Sequence, residues 1–182
     1  MTIELKPLLA AGFLATSVFA AGTIAAQIDG DRATLEARTL EWVAGWRTSF
    51  DVPFTIEQIS HLYAKDDRLF SYDFGRPHDG VEGWEKASRY YEGFMAIPAR
   101  WTLTPGDDLR VTVRGDVAWT TLSLAGSGEM PNGDPIELPE ARVTLIFERH
   151  DNDTWLIVHE HGSASIPFPD EETTRALLAP SE

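Results

Sequence analysis

Glu160 is the first residue of this chain that chemistry singles out. It lies in the run WLIVHEH, residues 155–161, whose aromatic and β-branched content suits a strand. Period-two alternation places Trp155, Ile157, His159 and His161 on one face, and Leu156, Val158 and Glu160 on the other. A carboxylate then shares a face with two aliphatic residues. If that face lines a pocket, Glu160 sits in an apolar concavity that raises its pKa and suits acid/base chemistry; at a frayed strand end it simply meets solvent. His159 and His161 project together and could ligate a metal as neutral imidazoles, yet the spacing puts no third ligand beside them. They are read as structural, and neither a metal nor any other cofactor is expected. Without a single Cys the chain can have no disulfide, thiolate site or cysteine nucleophile. It also lacks a glycine-rich phosphate loop and the Rossmann and Walker motifs.

The elements that must position such a group follow from the patterning. Val143 to Phe147 and Trp155 to Val158 are two apolar runs separated by Asp151, Asn152 and Asp153, which reads as a β-hairpin. Upstream, Leu35, Leu40, Val43 and Trp46 recur near helical spacing over 31–50, with Asp31 as candidate cap and Trp42 and Trp46 forming an i, i+4 aromatic ridge. Thr55 and Gln58 form a capping-box pattern for a second helix reaching Tyr63. A strand over 68–74 alternates Leu69, Ser71 and Asp73 with Phe70 and Tyr72. A third helix, 82–95, carries Trp84, Ala87, Ser88, Tyr91 and Met95 on one stripe. Strands are expected over 100–104, 109–114 and 117–124, where Trp119, Thr121 and Ser123 share a face, followed by a long mobile connection over 126–140. Trp42, Trp46, Tyr63, Trp84, Tyr91 and Trp119 are accordingly the candidate apolar walls of a pocket, with core packing as the competing role for each.

Composition bounds the partners. At 182 residues the chain is one domain with extras, and its net charge of −14 argues against nucleic acid and anionic membrane surfaces. Lys6, the apolar stretch Leu8 to Ala21 and the small residues Ala20, Ala25 and Ala26 make residues 1–26 a secretory signal peptide, with an uncleaved anchor as the alternative. The mature domain is then 27–168, periplasmic or secreted and off the membrane after cleavage. Residues 169–182 form a tail with a short helix capped by Asp170.

The closing run ARVTLIF…TWLIVHEHGSASIP resembles the last hairpin of the nuclear transport factor 2-like superfamily, in particular its SnoaL-like and calcium/calmodulin-dependent kinase association branches. The matching residues are Trp155, Leu156 to Val158, His159, His161, Ser163 and Pro167. The resemblance implies an α+β fold, a cone-shaped curved mixed sheet wrapped by three helices, and a homodimer formed through the sheet. It spreads over isomerases, dehydratases, cyclases and non-catalytic modules, so it identifies a fold and not a reaction. The run LYAKDDRLFSYDFG is similar to the helix-to-strand corner of ketosteroid isomerase-like proteins, which implies that Asp73 is a general base; an Asp before Phe-Gly is equally a common turn-former. Departures narrow the reading. Trp42 and Val143 stand near the places of the isomerases' oxyanion donors, and Gly162 and Leu145 near the kinase branch's carboxylate-binding arginines. Two functions remain. One is a cofactor-independent lyase or isomerase with Asp73 as base and Glu160 as acid or orienting group, acting on a small hydrophobic molecule. The other is a non-catalytic binding or dimerisation module.

Overall fold

The structure, a computed structural model, describes residues 11–74 and 79–164, with side chains described from residue 26 onward. His78, the first ten residues of the expected signal peptide and the C-terminal tail helix fall outside the described residues. The chain runs α1 (Ala11–Gly45), α2 (Glu57–Ser60), β1 (Phe70–Tyr72), β2 (Val81–Glu82), α3 (Trp84–Met95), β3 (Arg100–Pro105), β4 (Arg110–Arg114), β5 (Val117–Glu129), β6 (Pro135–Arg149) and β7 (Trp155–Ala164). The strands form one mixed sheet ordered β2-β1-β7-β6-β5-β3, with β4 also paired to β5. Only the β1–β7 pairing is parallel among the described strands. This is the α+β architecture expected, a curved mixed sheet with three helices.

The core is built by simple alternation. In β5, Ala118, Thr120, Leu122 and Leu124 are buried, and in β6 Ala141, Val143, Leu145 and Phe147 are their inward counterparts. Helix α1 docks on this face through Leu35, Trp42 and Val43, and Thr39 donates to the hydroxyl of Thr120 at 3.0 Å. Helix α3 presents Ala87, Tyr91 and Met95 at four-residue spacing, so one stripe is buried along its length.

Several boundaries differ from the sequence reading for identifiable reasons. Asp31 does not cap a helix, because α1 is already helical from Ala11. Its carboxylate instead accepts from Arg149 Nη2 at 2.5 Å and from Trp155 Nε1 at 3.2 Å, tying α1 to the outer end of the β6–β7 hairpin. Among the described residues no helix is long and apolar enough to cross a membrane. The second helix shrinks to one turn, although Gln58 Oε1 does accept from the Thr55 N–H at 2.9 Å as its pattern implied. The third begins at Trp84, two residues late, because Gly83 turns the chain there with φ 79° and Val81–Glu82 pairs as a strand.

The stretch taken as a loop over 126–140 is the largest correction. It forms the far arms of the β5–β6 hairpin, closed by a tight turn at Met130–Asp134 in which Gly133 has φ 89°. Pro135 and Pro139 read as loop residues, yet Pro135 opens the strand and Pro139 lies where the pairing register shifts between Leu124 and Gly126.

Strand β7 corrects the face assignment of Glu160. Ile146 pairs with His159 while Phe147 pairs with Ile157, which leaves Val158 as an extra residue in a bulge. The bulge resets the alternation. Trp155, Ile157 and Glu160 all face the core, and Leu156, His159 and His161 face outward.

Candidate functional site

Glu160 is 4% exposed and held by three hydroxyl donors from three different segments. Ser71, its cross-strand partner in the parallel β1–β7 pair, donates to Oε1 at 2.8 Å. Tyr91, from the buried stripe of α3, donates to the same oxygen at 2.7 Å. Tyr63 donates to Oε2 at 2.5 Å, and its own oxygen accepts from Trp42 Nε1 at 2.6 Å. Tyr63 can reach because the chain after α2 bridges β7: the Ala64 N–H donates to the Ile157 carbonyl and the Ile157 N–H to the Leu62 carbonyl. Helix α1, the α2 segment, β1 and α3 thus all end on one carboxyl group.

Asp73 stands just past β1 and is held far more loosely. Its Oδ1 accepts from the N–H of Phe74 at 2.7 Å and its Oδ2 from Tyr90 at 3.2 Å. Asp73 and Glu160 line a common cavity of about 210 Å³. The wall is mainly apolar, with Trp42, Trp46, Phe74, Phe94 and Trp101 presenting rings and Leu103, Ile136, Leu138 and Val143 aliphatic surface. Glycines make room for two of the rings. A Cβ on Gly126 would come within 2.4 Å of the Trp101 ring, and one on Gly162 within 2.7 Å of the Phe74 ring.

The electrostatics follow from enclosure. A hydrogen bond to a charged group is worth ~1.5–3 kcal/mol, so three donors lower the pKa of Glu160 considerably. Removing a carboxylate from water costs several kcal/mol, and a second carboxylate in the same cavity adds repulsion. The balance is upward: burial first, then the charge of Asp73, raise Glu160 above its ordinary 4.5. Burial also raises Asp73, against the lowering effect of its two hydrogen bonds. Tyr63 and Tyr91 are pushed well above their ordinary 10.0 by burial and then by Glu160, so both remain donors.

The structure brings most of the sequence candidates together and separates two. Trp42 and Trp46 are on the cavity wall, whereas Tyr63 and Tyr91 lie behind it and act through Glu160. Trp84 packs on Tyr63 with centroids 5.5 Å apart and has the Lys65 ammonium over its ring, outside the cavity wall. Trp119 is placed on the opposite face of β5, 38% exposed, because its neighbours Ala118 and Thr120 are the inward residues. Ser71, Tyr90, Trp101 and Glu137 were not foreseen as site residues. The alternation of 69–73 already put Ser71 on the face of Asp73. Tyr90 lies one residue, about 100° around the helix, from the stripe that marks Tyr91. His159 stacks on Phe70 at 5.7 Å on the outer face, away from Glu160.

A curved mixed sheet and three helices around an apolar cavity make up the nuclear transport factor 2-like fold. The chain belongs to the SnoaL-like domain family, whose model matches residues 55–169. No curated protein matches it. Similar solved structures include a proposed dehydratase of the same superfamily from Streptomyces avermitilis, at 17% identity and a TM-score of 0.64 over 77% of this chain and 99% of that one. A proposed aromatic ring hydroxylase from Novosphingobium aromaticivorans is 15% identical, with a TM-score of 0.61 over 76% and 91% of the two chains. The association domain of C. elegans CaMKII is 15% identical, with a TM-score of 0.56 over 76% and 98%. At these identities the likeness speaks to the fold alone.

The pKa direction of Glu160 makes a stability prediction. The folded protein keeps this proton to higher pH than the unfolded chain, so the group's contribution is full below 4.5 and is lost as pH rises through the elevated folded value. Thermal unfolding of wild type and Glu160→Gln across pH 4–8 should show wild type losing stability relative to the variant over that window. A constant difference between them would show that Glu160 titrates normally.

Proposed function

We propose that the protein is an exported SnoaL-like protein whose cavity binds a small hydrophobic molecule and moves a proton on it without a cofactor. One observation carries this reading: Asp73 and Glu160 share an aromatic cavity but are held very differently. Unequal environments push two like groups apart in pKa, which divides the roles of base and acid. Asp73 is the less enclosed and more loosely bonded of the two, and it takes a proton from carbon. Glu160 is enclosed and returns a proton, its hydroxyl turning to a tyrosine oxygen while protonated. Such a pair suits an isomerisation, in which the proton is replaced at another carbon, or an elimination, in which a hydroxyl leaves as water. Names of similar structures, a dehydratase among them, agree with that chemistry without extending to this chain.

A dimerisation role for the outer sheet face is the second reading, favoured by the exposure of Tyr72, Val117 and Trp119 there. The two readings are compatible, since Val117 and Trp119 are not part of the cavity wall.

Proton abstraction can be followed before the physiological substrate is known. In deuterated water, wild-type protein should exchange the C–H protons next to the carbonyl of 1-indanone or 2-tetralone, read by proton NMR. Asp73→Asn should slow this by about 10²–10⁴-fold while remaining folded. Equal rates in both proteins would exclude Asp73 as the base, and no exchange by wild type with any such ketone would favour binding alone. Export and pairing share a second test. Protein recovered from a secreting host should lack residues 1–26 and show twice its chain mass in light scattering. A full-length product contradicts cleavage, and a monomer at high micromolar concentration contradicts the dimer.

A further inference from the structure

The described wall of the cavity carries three carboxyl groups, Asp73, Glu137 and Glu160, and no Lys, Arg or His. The hydrogen bonds that reach the inner two come from neutral donors: the hydroxyls of Ser71, Tyr63, Tyr91 and Tyr90 and the N–H of Phe74. This is an unusual way to hold acids in an apolar space, since a guanidinium or ammonium is the ordinary partner of a buried carboxylate. The rings of Trp42, Trp46 and Trp101 stand around the same space, and an indole face is the strongest side-chain π partner for a cation. Both features repel an anionic ligand.

The indole nitrogens of Trp42 and Trp46 differ in their partners. Trp42 Nε1 is already bonded to Tyr63, whereas Trp46 Nε1 is buried and has no acceptor among the described residues. Trp46 is only 5% exposed, so water does not reach this donor freely. An unpaired buried N–H is ordinarily avoided, and here it belongs to a ring that forms part of the cavity wall.

We propose that the ligand is a hydrophobic amine with an oxygen on a neighbouring carbon. Its ammonium lies beside Asp73 against the indole rings, and its oxygen accepts from Trp46. The proposal rests on the small-molecule pocket read above and narrows the occupant's class. A protonated amine supplies the positive charge that the protein leaves out, and a planar hydrocarbon frame fills the apolar remainder of a cavity of about 210 Å³. An ammonium beside Asp73 also stabilises that carboxylate in its charged form, so binding readies Asp73 as a base.

The test is isothermal titration of the mature chain at pH 7 with three compounds of one shape: cis-1-amino-2-indanol, cis-indane-1,2-diol and indane-1-carboxylate. The amine should bind at least ten-fold more tightly than the diol, and the carboxylate not measurably. Asp73→Asn, shown to be folded by circular dichroism, should reduce amine affinity toward that of the diol. Trp46→Phe should weaken both hydroxyl-bearing compounds alike. If amine and diol bind equally, the pocket stands and the cation assignment falls. If Asp73→Asn binds the amine as tightly as wild type, the amine is held elsewhere and the assignment also falls. If no compound binds the folded wild-type protein, the pocket reading fails and this proposal with it.

Discussion

The carboxyl group of Glu160 is the constraint on which the rest of the molecule depends. It is enclosed at 4% exposure, so its polar atoms must be met by protein, and the three donors come from β1, α3 and the segment after α2. A lost donor would leave a buried carboxyl oxygen unsatisfied, at ~1–3 kcal/mol. The demand therefore locks the helices to the sheet at one point, and it does so with directional bonds that hydrophobic packing alone lacks. Trp42 extends the network to α1 through Tyr63, so the longest helix is registered against the same atom.

Around that fixed point the cavity is shaped by omissions of side chain. Gly162, two residues further along β7, lets Phe74 lie against the strand, and Gly126 on β5 does the same for Trp101. Each pairing moves an aromatic ring closer to the sheet and leaves space above it. The elongated β5–β6 hairpin then contributes Ile136, Glu137 and Leu138 to the far wall. Function and fold are thus not separable layers here: the bonds that hold the helices down are the same ones that set the protonation of the site.

Much of the architecture was legible in the amino-acid order because it follows period and local chemistry. The stripe of α3, the inward residues of β5 and β6 and the closing hairpin are all read by counting. Other features escaped because they depend on pairing between distant residues. The bulge at Val158 exists only in the register of β6 against β7, and without it strict alternation puts Glu160 with Leu156 instead of with Trp155 and Ile157. The candidate survived because Glu160 lies opposite His159 and His161 with or without the bulge. Trp119 failed for the opposite reason: an aromatic residue on an amphipathic strand reads as core, and its exposure is visible only once Thr120 is seen bonded to Thr39. The hairpin arms over 126–140 were hidden by Pro and Gly, which mark turns in isolation but here sit at a strand start and a register shift.

The enclosed carboxyl holds its proton above the ordinary carboxylate range. Carbon-13 NMR of the side-chain carboxyl carbons, followed from pH 3 to 9, measures this directly, with Glu160→Gln identifying the resonance. One glutamate carboxyl should titrate clearly above 4.5, and the Asp73 signal should respond when that variant is made. A spectrum in which every glutamate carboxyl ionises at ordinary values would mean that the three hydroxyls outweigh burial and repulsion. Glu160 would then be a permanently charged structural anchor, unable to return a proton.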